Sequence, residues 1–174
     1  RIEVGSAHYE GRELRPTPLS FVHKNRFGVR DLQDMLLLLV RPDAPLGRRG
    51  FELSHKHRQF IIQALTDLPH ESKWPRWSRE RFDPYRFKPF LRGLERLRPR
   101  ESFTLVSKAG KAYGFRVDNA YIEDHATGRA LLITATMHTD LDGVINDDRY
   151  AYEIADEAFP DLAETLAKRL LWGE

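Results

Sequence analysis

Between Val29 and Val40 the apolar positions Leu32, Met35, Leu36 and Leu39 recur at i, i+3, i+4 and i+7, the spacing of one buried helix face. Leu37, Leu38 and Val40 widen that face, which predicts a helix over 29–40 buried on several sides. Pro42, Pro45 and Gly47 end it. Ser54 is a suitable N-cap for a second helix over 55–68, with Phe60, Ile61, Ala64, Leu65 and Leu68 as its apolar positions. Residues 69–86 hold three prolines, Trp74, Trp77 and many charges, and read as an irregular excursion anchored in the core by its tryptophans. A short helix is expected over 87–97, with Phe90, Leu91, Leu94 and Leu97 on one face.

The period then changes from helical to alternating. Segments 102–108, 112–122 and 130–138 are rich in Val, Ile, Thr, Tyr and Phe, and predict consecutive antiparallel strands covered on one face. Lys108-Ala109-Gly110 ends the first of these, on an edge strand. Residues 124–129 contain Gly128 and suit a hairpin connection; residues 140–148 read as a polar loop. Leu162, Ala163, Leu166, Ala167 and Leu170 give a closing helix over 160–172, with Pro160 expected in its first turn, where a missing N–H costs nothing. Residues 1–28 read as irregular after a strand-like Arg1–Val4, punctuated by Gly5, Gly11, Pro16, Pro18 and Gly28. Helices, then a run of strands, then a helix is an α+β order, an antiparallel sheet packed with helices, and not alternating βαβ.

A chain of 174 residues with 41% hydrophobic and 31% charged positions has the length and composition of a single soluble domain, 1–174. The net charge is only +2 and the charges are mixed, so no nucleic-acid partner is expected from the bulk field. Absence of cysteine excludes disulfides and thiolate metal sites. The longest apolar run, Met35 to Val40, is far too short for a membrane span. Because the chain starts at Arg1 and goes straight into a strand-like segment, a truncated or processed polypeptide is expected.

Several clusters invite chemistry and carry a plainer explanation. His55 and His57 are two residues apart on a helix, so their imidazoles face different ways and suit a solvated helix start, not a metal site. The acidic stretch 140–148 lacks the spacing and the closing bidentate Glu of a calcium loop. Trp74, Arg76, Trp77, Arg79 and Arg81 combine stacking and phosphate-binding side chains, as single-strand nucleic-acid binders do. No cofactor or metal is expected.

Lys108-Ala109-Gly110-Lys111-Ala112-Tyr113-Gly114 resembles the Lys-Thr-Gly-x-x-Tyr-Gly run of the serine β-lactamase and penicillin-binding-protein superfamily. Tyr113 to Ile122 and Gly143 to Glu153 are similar to two longer stretches of bacterial serine hydrolases in that superfamily. The resemblance spans about residues 29–172. It implies the C-terminal portion of a β-lactamase/transpeptidase-like domain, acting by acyl transfer on a β-lactam, a D-Ala-D-Ala-like peptide or an ester. It further implies a periplasmic or secreted location. Lys108 and Lys111 would be the catalytic positions, with Ala109, Gly110 and Tyr113 binding substrate. A strand-edge lysine supplies positive potential beside a serine, and Gly110 lets backbone approach the ligand. The Lys111 N–H would be one oxyanion donor. Two departures bear on activity. Ala109 lacks the hydroxyl of Thr or Ser, and no serine in the chain has a lysine three places on. The nucleophile is therefore expected in a missing N-terminal part of the same domain, which becomes a partner of this chain alongside the substrate. Glu10 and Glu13 match a deacylating glutamate by position only. A catalytically inactive β-lactamase-like binding domain and a basic nucleic-acid-binding α+β module remain the alternatives.

Overall fold

A computed structural model describes residues 2–78 and 80–173. Arg1 of the strand-like start and Arg79 of the Trp/Arg segment lie outside the described residues. The N-terminal region is not irregular. It forms short strands β1 (Glu3–Val4), β2 (Ala7–Glu10), β3 (Glu13–Arg15) and β4 (Leu19–Ser20). β1 pairs with β4, and β2 with β3, both antiparallel. Strands this short have no readable alternation, and tertiary pairing defines them.

Helix α1 (Val29–Val40) matches its predicted bounds, with Leu36, Leu38 and Leu39 buried. Helix α2 (His55–Thr66) starts where predicted, with the Ser54 side chain accepting from the His57 N–H. Its apolar face is the predicted one only in part: Leu65 packs inward and Leu68, just past the helix, is buried, but Ile62 joins them and Phe60 is 73% exposed. The helix expected over 87–97 is shorter, α4 (Leu91–Glu95), with Phe90, Leu91 and Leu94 buried as expected; a separate turn of helix, α3 (Pro84–Phe87), precedes it. Asp83 caps α3, accepting from the Tyr85 N–H.

Strands β5 (Phe103–Ala112), β6 (Phe115–Asp124) and β7 (Ala130–His138) form an antiparallel sheet in the order β5-β6-β7. Lys108-Ala109-Gly110 therefore lies within β5, and the second strand begins at Phe115, not near Lys111. The turn explains the difference. Tyr113 and Gly114 both take positive φ, 53° and 76°, as a two-residue type I′ hairpin requires. At the other end Asp124 accepts from Thr127 N and Oγ1, closing the expected connection to β7.

The sheet is covered on both faces, not on one. Successive side chains alternate faces, so Phe103, Leu105, Ala120, Ile122 and Ile133 meet α4 and the C-terminal helix. Val106, Tyr121 and Leu132 meet α1 and α2 on the other face. The C-terminal helix α5 (Tyr152–Leu166) continues as a π-helical segment, Ala167–Trp172. Pro160 is inside α5 and not in its first turn. Its ring removes one i→i−4 hydrogen bond, and burial of Ala155, Phe159 and Ala163 along the same helix offsets that loss. The 140–148 loop also contains a strand, β8 (Val144–Ile145), which pairs in parallel with β2. Ser6 N donates to Gly143 O at 2.7 Å, tying the chain's start to this loop.

Candidate functional site

β5 is an edge strand, and the type I′ turn sets which of its backbone groups face outward. Ala112 and Phe115 flank that turn as a hydrogen-bonded pair. Pairs alternate along an antiparallel ladder, so Lys111, Ala109 and Ser107 direct their N–H and C=O groups away from β6. A cleft of about 1260 Å³ lies along this open edge. Residues 107–111 form one wall, the C-terminal half of α2 and Lys88 another, and Trp74, Trp77 and Phe82 a third.

Four of the five residues singled out by the sequence come together here: Lys108, Ala109, Gly110 and Lys111 all line the cleft. The two lysine side chains diverge, because an interval of three in a strand puts them on opposite faces. Lys111 Nζ lies 4.2 Å from the centroid of the Tyr152 ring. Partial burial lowers its pKa, partly opposed by Asp156. Lys108 is exposed, with Nζ donating to Ala109 O. A Cβ at Gly110 would meet only Val117 Cβ, at 3.9 Å. Nothing inside the chain requires a glycine there.

Tyr113 is not part of the cleft wall. Its ring packs edge-on to Phe21 at 5.2 Å, and its hydroxyl accepts from Lys24 Nζ at 3.0 Å. Asn119 has a structural role: its Nδ2 donates to Leu32 O at 2.7 Å, joining β6 to α1. Glu10 and Glu13 pair with Arg15 on the exposed β2–β3 hairpin. The expected anchoring of the 69–86 segment in the core by its tryptophans does not hold: Trp74 is 91% and Trp77 40% exposed, and Trp77 packs edge-on to Phe82 at 4.3 Å, outside the core clusters. Among the described residues, no group of three or more His, Cys, Asp or Glu could hold a metal ion.

Three further residues were not singled out by the sequence. Lys88 follows α3 and is buried; its Nζ donates to Leu65 O at 2.5 Å and to Ser107 Oγ at 3.3 Å. Asp118 is fully buried, accepting from Phe90 N at 3.2 Å and Asn119 N at 3.0 Å. Burial pulls the Lys88 ammonium down to about 8, with Asp118 opposing the shift. It pushes the Asp118 carboxyl up to about 6, against its backbone donors and Lys88. Arg116, on the same face, donates to Asp156 at 2.7 Å and to Arg86 O at 2.8 Å. Lys88 stands alone in the chain, and nothing in the Tyr113–Ile122 stretch marks Arg116 or Asp118 as facing it.

A second cavity, of about 1070 Å³, is mainly apolar and lies between α1, residues 21–28 and the turn end of the sheet. It meets the first at Gly110 and Lys111. Searches with this chain find no matching family model, no matching curated protein and no matching solved structure. Among the described residues, no helix is long and apolar enough to cross a membrane.

Proposed function

We propose that this chain is the C-terminal portion of a β-lactamase-like serine hydrolase domain, acting by acyl transfer on a β-lactam, a D-Ala-D-Ala-like peptide or an ester. The observation that carries the proposal is the β5 edge. Lys108-Ala109-Gly110 lies on an open strand, and the Lys111 N–H points out of the sheet beside a cleft. The absence of any internal packing reason for Gly110 supports a ligand passing close to the backbone there. The order of helix pair, edge strand, hairpin, third strand and terminal helix is also the order that the resemblance implies.

The serine comes from outside these 174 residues, since none here has a lysine at the third place on. Its Oγ attacks the substrate carbonyl, its proton passes to a neighbouring base, and negative charge develops on the carbonyl oxygen. The Lys111 N–H and the serine's own N–H stabilise that charge; losing one such donor costs on the order of 10²–10³ in rate. The bond to the leaving group then breaks, and water releases the acyl group. Lys108 adds positive potential along the strand edge. By the same resemblance the protein works in the periplasm or is secreted.

The test is acylation of the full-length gene product by a fluorescent penicillin, mapped by mass spectrometry. A single labelled serine followed by x-x-Lys, with kcat/KM reduced in Lys108→Ala, is the expected result. No label from penicillin, fluorophosphonate or activated ester sinks the hydrolase reading. One observation favours a second reading, a catalytically inactive binding domain: Ala109 lacks the hydroxyl expected at that position. Reversible penicillin binding without acylation would select it.

A further inference from the structure

Two hydrogen-bond donors on the wall of the cleft have no acceptor among the described residues. Lys88 carries three N–H donors. One goes to Leu65 O and one to Ser107 Oγ. The first bond has a structural purpose, since Leu65 O is among the last carbonyls of α2, which has no basic residue in its own last turn. The third N–H is unspent. Ser107 Oγ accepts from Lys88 at 3.3 Å, and its own O–H meets no acceptor among the described residues. No carboxylate oxygen among the described residues lies within ion-pair distance of Lys88 Nζ, although Lys88 is only 4% exposed. A buried ammonium without a counter-ion is costly, and this one borders an open cleft.

We propose that Lys88 and Ser107 form an anion subsite that holds the carboxylate of a small ligand bound in the cleft. The ligand oxygens accept the third Lys88 N–H and the Ser107 O–H, and the carboxylate supplies the ion-pair partner at contact distance that Lys88 lacks among the described residues. Ser107 and Ala109 are two apart and share a face of β5. The methyl of Ala109 leaves room for the rest of the ligand to run along the strand toward Lys111. Two free donors and one cation suit a monoanionic, two-oxygen group better than a phosphate. Of the charges facing Lys88, Asp118, Asp67 and Glu71 favour its protonated form and Arg100 opposes it. Asp118 has its own partners in two backbone N–H groups, so it does not occupy the subsite. Naming the ligand as a carboxylated acyl-transfer substrate rests on the proposed function; the subsite itself does not.

The experiment is an NMR titration of the lysine ε-groups of the 174-residue chain with N-acetyl-D-alanine. The uncharged N-acetyl-D-alanine amide and inorganic phosphate are the comparison arms. Saturable shifts of the Lys88 signal with the carboxylate alone are expected, weakened about tenfold in Ser107→Ala and abolished in Lys88→Met. The proposal is overturned if Lys88→Met keeps the affinity, if the amide binds equally, or if only Lys108 or Lys111 responds. Equal or tighter phosphate binding overturns the carboxylate assignment. Should Lys88→Met fail to fold, the direct Lys88 shift and Ser107→Ala decide. Carboxylate binding at Lys88, with no acylation of the full-length protein, leaves the subsite standing and removes the hydrolase.

Discussion

Gly93→Ala tests how α4 meets α5. Sequence alone predicts a gain, because alanine is favoured over glycine inside a helix by about 1 kcal/mol. The structure predicts the reverse. A Cβ built at Gly93 would sit 1.9 Å from Pro160 O and 2.7 Å from Pro160 C. Both are backbone atoms of a buried stretch of α5, so no side chain can swing away. Relief needs roughly 1 Å of separation between the helices even to reach the shortest contacts real Cβ atoms make. That movement would loosen Leu91 and Leu94 from the core they share with Phe159 and Ala163. Overpacking of this kind costs about 1–3 kcal/mol, sometimes more. With backbone atoms at 1.9 and 2.7 Å the upper end of that range applies; set against the helix-propensity gain it leaves a net loss of about 2 kcal/mol, or about 4–8 °C in Tm at this chain length. Urea and thermal unfolding followed by circular dichroism would measure it. A variant as stable as the parent, or more so, would refute the reasoning, because it would mean that the α4–α5 approach is not this close.

The buried Lys88 makes a pH-dependent prediction. Its folded pKa of about 8 lies below the unfolded value of 10.5, so the unfolded chain holds a proton across that window that the folded chain has released. Wild-type stability relative to Lys88→Met should therefore rise by on the order of 3 kcal/mol as pH goes from 7 to 10.5; a flat difference in urea titrations across that range would show that Lys88 is not desolvated. Gly110→Ala should leave thermal stability within about 0.5 kcal/mol of the parent, since the added methyl meets only Val117 Cβ at 3.9 Å. The same change should lower acylation of the full-length protein by crowding the ligand's path, and unaltered acylation would separate Gly110 from the site.

Elements written in a local window were legible. The bounds of α1 followed from its apolar period, and the start of α2 from Ser54 as N-cap. The three long strands followed from their β-branched and aromatic runs, and residues 108–111 from a short motif. Each of these depends on neighbours a few positions away, and the physics of helix faces and pleats acts over that range.

The rest was decided by contacts between distant parts of the chain. β2 pairs with β8 across more than 130 residues, and two-residue strands have no pattern of their own until a partner fixes them. Pro160 marked a helix start by its chemistry, yet packing of Ala155 and Phe159 carried α5 further toward the N-terminus. Phe60 had the period of a core residue, but α2 packs on the sheet through Ile62 and Leu65, which leaves Phe60 outside. Only the fold could bring Lys88 to Ser107, because the loop after α3 and the middle of β5 share no local signal. What sequence determines here is the set of helices and strands and the motif on one edge. Which groups face one another across the cleft is a property of three-dimensional packing, where burial and charge act between residues that the chain itself keeps far apart.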